Sequence, residues 1–292
     1  MSITAEAIKA LLQSEATTAT NAALNAATPA LAGLGIFAHH QEMKTIDLEG
    51  KLPLRRRARG AMRTDFVAPF AAYVAAHAQP GTTVFINADD MSAQAVLNFG
   101  SNTLPGHCDN ITNVELKQTA AYKAMTRLLM SATSQRDLAE WLEEWGAMVL
   151  VRESHEPDAP VLDLKSCINA VRNVTIKAVK DAESAVGNFS QTRSALEEIS
   201  MQAKADAKLP PFLHLTFQPY QELAARSFVV RVSAITSREE PLFRCNLLAA
   251  EQHQEDMANE FAQVVRNHFD QMTLPEGISA PQVLLGTYAK AP

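Results

Sequence analysis

Apolar residues recur along this chain with two different periods, and the alternation between them outlines the elements. Phe66, Val67, Phe70, Tyr73 and Val74 lie three and four residues apart, which predicts an amphipathic helix. Asp65 stands as its N-cap or first-turn acid, Pro69 falls in the first turn, and Gln79-Pro80-Gly81 stops it. Helical spacing returns in Ala120 to Met130 and in Gln135 to Met148, where Leu138, Trp141, Leu142 and Trp145 share a face. Leu162 to Arg172 also reads as helix. Period two marks Thr82 to Ile86 and Ala93 to Phe99, a hairpin about the turn residues Asn87 to Asp90, and then Ile111 to Lys117. Two further extended stretches fall between Met43 and Arg63, around Gly50 and Pro53.

Val174 to Val179 alternates as a strand, whereas Ala182 to Lys208 supports helix by propensity and a hairpin return by its Gly187-Asn188 pair. Three strands follow near 212–218, 228–236 and 242–248, carried by Leu213, Leu215 and Phe217, by Phe228 to Ile235, and by Phe243, Cys245 and Leu247. After Leu248 the period changes from two to 3.6, with Met257, Phe261, Val264, Val265, His268, Phe269 and Met272 on one stripe. That switch predicts one antiparallel sheet covered by a helix over 251–272. The class is therefore α+β, a mainly antiparallel sheet with flanking helices and a flexible Ala-rich N-terminal arm.

The arm is expected over residues 1–35. Ile3 to Leu12 has the length of a short helix, but Glu15 to Gly35 mixes Ala, Thr and Asn with Pro29, Gly33 and Gly35. Side chains this small bury little area, which suits a mobile arm or a piece ordered by a neighbouring subunit. The body then divides into an α+β part over 36–152 and another over 161–292, or runs as one continuous domain. Glu153 to Pro160, with two prolines and a run of carboxylates, is the best linker between them. No repeat of solenoid length is present.

Composition narrows the classes. The 292 residues are 47% hydrophobic and 20% charged, as in a globular chain. No run approaches the roughly 18 to 20 apolar residues that span a bilayer. Met1 to Leu12 carries Glu6 and a single Lys9 and lacks the pattern of a secretory signal, so a cytoplasmic address in a bacterial host is expected, with no membrane partner. Cys108, Cys167 and Cys245 are odd in number and far apart, which fits buried or idle thiols rather than a disulfide framework. A net charge of -6 opposes general adhesion to nucleic acid, so any such contact must be local.

The densest local charge is Arg55, Arg56, Arg57, Arg59 and Arg63. On a strand, Arg55, Arg57 and Arg59 would point one way at roughly 6.6 to 7 Å intervals and follow successive phosphates. The competing readings are a solvated edge strand and arginines paired with carboxylates of a neighbouring subunit. The nearest aromatics, Phe66, Phe70 and Tyr73, belong to a helix face and offer no stacking platform. For metals, His39-His40, His107-Cys108-Asp109 and Asp89-Asp90 lack ligand spacing, and Asp89-Asp90 is more simply a turn. His214 and His268 read as hydrogen-bonded core residues, and the pairs Glu143-Glu144 and Glu197-Glu198 diverge. With 11 glycines and no phosphate loop, dinucleotide fingerprint or nucleophile elbow, the chain offers no catalytic residue, cofactor or metal site to assign. The enzyme alternative is a metal-assisted hydrolase around His107, Asp109 and Asp89.

Taken in order, the Arg-rich stretch, the helix with Phe66 and Tyr73, the hairpin Val84 to Phe99, Trp141-Leu142-Glu143-Glu144 and the C-terminal strand pairs are familiar. The chain resembles the YfdQ-like proteins of bacteriophages and prophages over about residues 43–288, departing in the arm before residue 36 and in 182–206. The resemblance implies a phage-encoded cytoplasmic protein in which the second half of the ambiguous segment pairs as sheet. It carries over no functional residue, because the family has no assigned site. The expected function is that of a non-enzymatic protein that self-assembles into a higher-order homo-oligomer. The alternatives are nucleic-acid binding in phage recombination or replication, and sequestration of a small anionic nucleotide between subunits, both through the arginine cluster.

Overall fold

The computed structural model describes residues 14, 15, 18, 19, 22, 36–39, 44–47, 53, 54, 57–174, 208–236, 241–274 and 276–289. The helix expected at 3–12, most of the arm, the strand beyond Val174 and the ambiguous segment up to residue 207 lie outside the described residues. The chain forms two compact units, Met1–Gly60 and Ala61–Pro292. In the first, β1 (Ile36–His39) and β2 (Lys44–Asp47) pair antiparallel, with Ile36 opposite Asp47.

The second unit holds two sheets, each with its own helices. The first sheet has the order β13-β4-β5-β6-β3, made of β3 (Gly60–Thr64), β4 (Thr83–Asn87), β5 (Ser92–Val96), β6 (Asn110–Glu115) and β13 (Gln282–Leu285). Strands β4, β5 and β6 are antiparallel neighbours, while β13 runs parallel to β4. The loop into β6 packs so closely that a Cβ on Gly106 would lie 1.8 Å from the Asn98 carbonyl oxygen. The second sheet is antiparallel throughout, in the order β7-β12-β11-β10-β8-β9. Its strands are β7 (Thr133–Ser134), β8 (Val149–Arg152), β9 (Val161–Leu162), β10 (Phe212–Phe217), β11 (Arg226–Thr236) and β12 (Pro241–Leu247).

Helix α1 (Val67–His77) and helix α5 (Ala250–Asp270) cover the five-stranded sheet. Phe70 and Val74 of α1, Phe261, Val265 and Phe269 of α5, and Val84, Ile86 and Val114 of the strands form one core. Helices α2 (Ala120–Met130), α3 (Gln135–Trp145) and α4 (Leu164–Asn173) cover one face of the six-stranded sheet. There Met125, Leu138, Leu142 and Val171 pack on Leu213, Val230 and Phe243 in a second core.

The expected sheet of 212–218, 228–236 and 242–248 is present, but the helix that follows does not cover it. Helices α2, α3 and α4 already occupy the inner face of that sheet, and α5 crosses to the five-stranded layer. An amphipathic stripe states that a face is buried and leaves open against what. Two further readings need correction. Glu153 to Pro160 is the loop of the β8–β9 hairpin rather than a linker, closed by Arg152 opposite Val161 and by Glu153 N–H donating to the Pro160 carbonyl at 3.2 Å. Prolines and acidic residues serve a hairpin loop as well as a linker. The N-cap of α1 is Phe66, without a side-chain cap, rather than Asp65. The side chains of Thr119, Ser134 and Asp163 do cap α2, α3 and α4.

Along its first half α5 also touches the six-stranded layer. Arg226 of β11 pairs with Glu260, which also accepts from the Ala224 N–H at 2.6 Å, and the His253 ring lies 4.9 Å from that of Phe228. Burial, assisted by the Arg226 charge and opposed by Asp256, lowers the His253 pKa from 6.5. The folded protein thus prefers neutral His253, and the unfolded chain binds the proton more readily. This contribution is complete above the unfolded pKa of about 6.5 and is lost as pH falls below it. Between about pH 7.5 and pH 5.5 the melting temperature should fall more for the wild type than for His253→Gln; equal falls would contradict this environment.

Candidate functional site

Strict alternation in β8, β10, β11 and β12 directs Val151, Leu213, Leu215, Val230, Phe243 and Cys245 into the core. Burial raises the Cys245 thiol to about 12 and the Cys167 thiol to about 11, so neither is a ready nucleophile. The intervening residues stand on the opposite face, over which no described helix packs. Their charged members are Arg152, Arg231 and Arg244; no Asp or Glu of these strands points that way.

The register fixes how these groups meet. Val161, Arg152, Phe212, Arg231 and Asn246 are opposite one another on β9, β8, β10, β11 and β12, so Phe212 stands between two arginines on adjacent strands. With strands about 4.8 Å apart, the two arginine backbones are separated by roughly 10 Å. Arg152 is half-buried, and its Nη1 donates to the Ala159 carbonyl at 2.6 Å, so the β8–β9 loop orients it. Arg231 and Arg244 are exposed, and among the described residues neither has a carboxylate partner. Arg244 lies opposite Ser233, and the hydroxyls of Thr216 and Ser227 are 3.0 Å apart across the same face.

The β8–β9 loop rims one end of this surface. The His214 Nε2 lies 3.1 Å from the Ser154 carbonyl oxygen, and the His155 ring is 6.0 Å from that of Phe212. His214 therefore sits on the open face rather than in the core, although it is hydrogen-bonded as expected. Two carboxylates of the rim are engaged, Glu153 with Lys208 at 2.6 Å and Glu156 with His155 at 3.1 Å. The Glu153 carboxylate holds the Lys208 ammonium above its usual pKa. The face thus offers fixed cations, a half-buried aromatic ring and hydroxyl and amide groups, a set that suits a polyanion with planar substituents.

The arginine cluster read from the sequence is arranged differently from the row expected. Arg55 and Arg56 lie outside the described residues. Arg57 is in a bend and Arg59 in irregular backbone, because the strand begins only at Gly60, where φ is 141°. Strand spacing therefore does not apply to them. Arg63 is on β3, exposed, at the edge of the five-stranded sheet.

Asp89 and Asp90 form the β4–β5 turn, with the Asp89 N–H donating to Asn87 Oδ1 at 3.1 Å and Ser92 Oγ to Asp90 at 2.6 Å. Asp109 accepts from Asn98 Nδ2 at 2.8 Å, and His107 is exposed. Among the described residues no three His, Cys, Asp or Glu side chains gather where they could hold a metal, and His107, Asp109 and Asp89 do not converge. Side chain 40 and Glu197-Glu198 are outside the described residues, and Glu143 pairs with Arg172 at 2.8 Å.

Concavities among the described residues accompany these surfaces. A groove of about 430 Å³ between α2 and α3 is lined by Lys123, Arg127, Asp137, Trp141, Glu144 and Trp145. Another of about 380 Å³ collects Asp65, Asp90, Glu115, Lys117, Lys123 and Tyr220, whose phenol is pushed up chiefly by burial. Both mix charges of opposite sign, so neither selects a ligand as clearly as the open face does.

Among the described residues no helix is long and apolar enough to cross a membrane. No curated protein and no solved structure matches the chain. Residues 1–278 match the model of a family described as uncharacterized conserved protein (DUF2303). The chain is a member of this family.

Proposed function

We propose that this protein binds nucleic acid on the open face of its six-stranded sheet, through phosphate contacts from Arg152, Arg231 and Arg244. One observation carries the reading: in a chain of net charge -6, this face has arginines as its only strand charges. A surface of that kind attracts phosphates locally while the rest of the molecule repels them, which favours a bounded site over diffuse coating. The role is non-enzymatic, and in the YfdQ-like setting it belongs to recombination or replication in a phage cycle. Arg57, Arg59 and Arg63 are the competing location, together with Arg55 and Arg56. Fluorescence anisotropy with a labelled oligonucleotide tests the reading. Affinity should fall tenfold or more between about 50 and 200 mM salt, and absent or salt-insensitive binding would refute it.

Self-assembly is the second reading, favoured by apolar exposure at one end of the same sheet. Leu150 is 51% exposed and Val161 56% exposed, and β9 is a two-residue edge strand. A second copy seated there would cover both residues. Light scattering at micromolar concentration should then report an oligomer, and a clean 31.8 kDa monomer would end this reading.

A further inference from the structure

We infer that the nucleic acid taken by this face is single-stranded, with one base stacked on Phe212 between Arg152 and Arg231. The inference rests on the nucleic-acid reading above and adds the form of the ligand. Phe212 is on β10, which has two strands on one side and three on the other. Even four strands at about 4.8 Å spacing are wider than the major groove, about 12 Å across, that admits a helix or a two-stranded ribbon. The ring therefore cannot enter a duplex. It meets only a base that is already free of its partner, as in sheet-based readers of single strands.

The surroundings of the ring fit that task. Arg152 and Arg231 flank it in register, Arg152 being anchored by the Ala159 carbonyl, so two cations bracket one aromatic surface. The half-buried position of Phe212 means that part of the ring is already desolvated and its orientation limited. Stacking on such a ring tolerates any base, because every base presents a π-face. Asn246, next along the same line, supplies an amide at the flank of the stacked position. The hydroxyls of Thr216 and Ser227 lie four residues along their strands from Phe212 and Arg231, so they serve neighbouring nucleotides rather than the stacked one.

The test compares a labelled 12-nucleotide single strand, the duplex of the same sequence and a mononucleotide, by anisotropy and calorimetry on the full chain. The wild type should bind the single strand at least tenfold more tightly than the other two probes. Phe212→Leu, which keeps an apolar strand residue, should weaken single-strand binding roughly tenfold and leave duplex binding unchanged, and Phe212→Trp should restore it. A thermal melt of each variant shows that the sheet is intact. Equal affinity for single strand and duplex with no effect of Phe212→Leu overturns the inference, as does mononucleotide binding as tight as the oligomer's. If Arg231→Ala/Arg244→Ala still weakens binding in that case, the nucleic-acid reading survives; if it changes nothing, both fall.

Discussion

Replacing Phe261 with alanine should lower stability by about 3 to 5 kcal/mol, through lost burial and the cavity left behind. Phe261 is fully buried on α5, in the core shared with Phe70 and Val74 of α1 and with the five-stranded sheet. A helix holding that core through Phe261, Val265 and Phe269 has few ways to collapse into the gap. Urea denaturation measures the loss, and hydrogen exchange locates it. Protection should fall first in α1, β4 and β5, because these elements share the core with Phe261. A near-wild-type midpoint would show that α5 is not packed there. Protection lost only in β10, β11 and β12 would restore the simpler arrangement expected from the sequence, in which this helix covers the strands before it.

The second large effect concerns binding. Arg231→Ala/Arg244→Ala should reduce nucleic-acid affinity strongly and lower the slope of log affinity against log salt by about 1.4, since each phosphate contact on a single strand contributes about 0.7. Stability should stay within about 0.5 kcal/mol of the wild type, because both arginines are exposed and have no carboxylate partner among the described residues. The parallel variant Arg55→Ala/Arg57→Ala should leave the slope unchanged. The opposite pattern would move the contact to the N-terminal cluster. A large loss of stability in the first variant would instead make Arg231 and Arg244 structural residues.

Much of the fold was legible because its elements are long and periodic. Helices α2 and α5, the hairpin β4–β5 and strands β10, β11 and β12 follow from spacing alone. Five strands were not read, among them β1, which precedes the first stretch read as extended. β7 and β9 have two residues each, β8 follows the α3 helix after one short turn, and β13 pairs with a strand about 200 residues earlier. Pairings so short or so distant leave little trace in local pattern. The destination of α5 was hidden for a related reason: the residues that fill the space over β10–β12 come from α2, α3 and α4, earlier in the chain.

The candidate site was less legible still. Arg55, Arg56, Arg57, Arg59 and Arg63 draw the eye because they are dense in sequence. Arg152, Arg231 and Arg244 are separated by 12 residues or more, and only the register of β8, β10, β11 and β12 brings them to one face with Phe212. The signal was present in the alternation, since Leu213, Leu215 and Phe217 pointing inward leave Phe212, His214 and Thr216 pointing out. Two of the segments that carry the arginines were read as strands; the third, β8, was not.

Where nucleic acid touches this protein is read most directly by ultraviolet crosslinking of a single strand to the full chain, with the adducts mapped by mass spectrometry. Adducts should concentrate on Phe212 and its neighbours in β10 and β11, and should disappear in the Arg231→Ala/Arg244→Ala variant. Adducts confined to the segment from Arg55 to Arg63, or a pattern indifferent to that variant, would contradict binding on the open face.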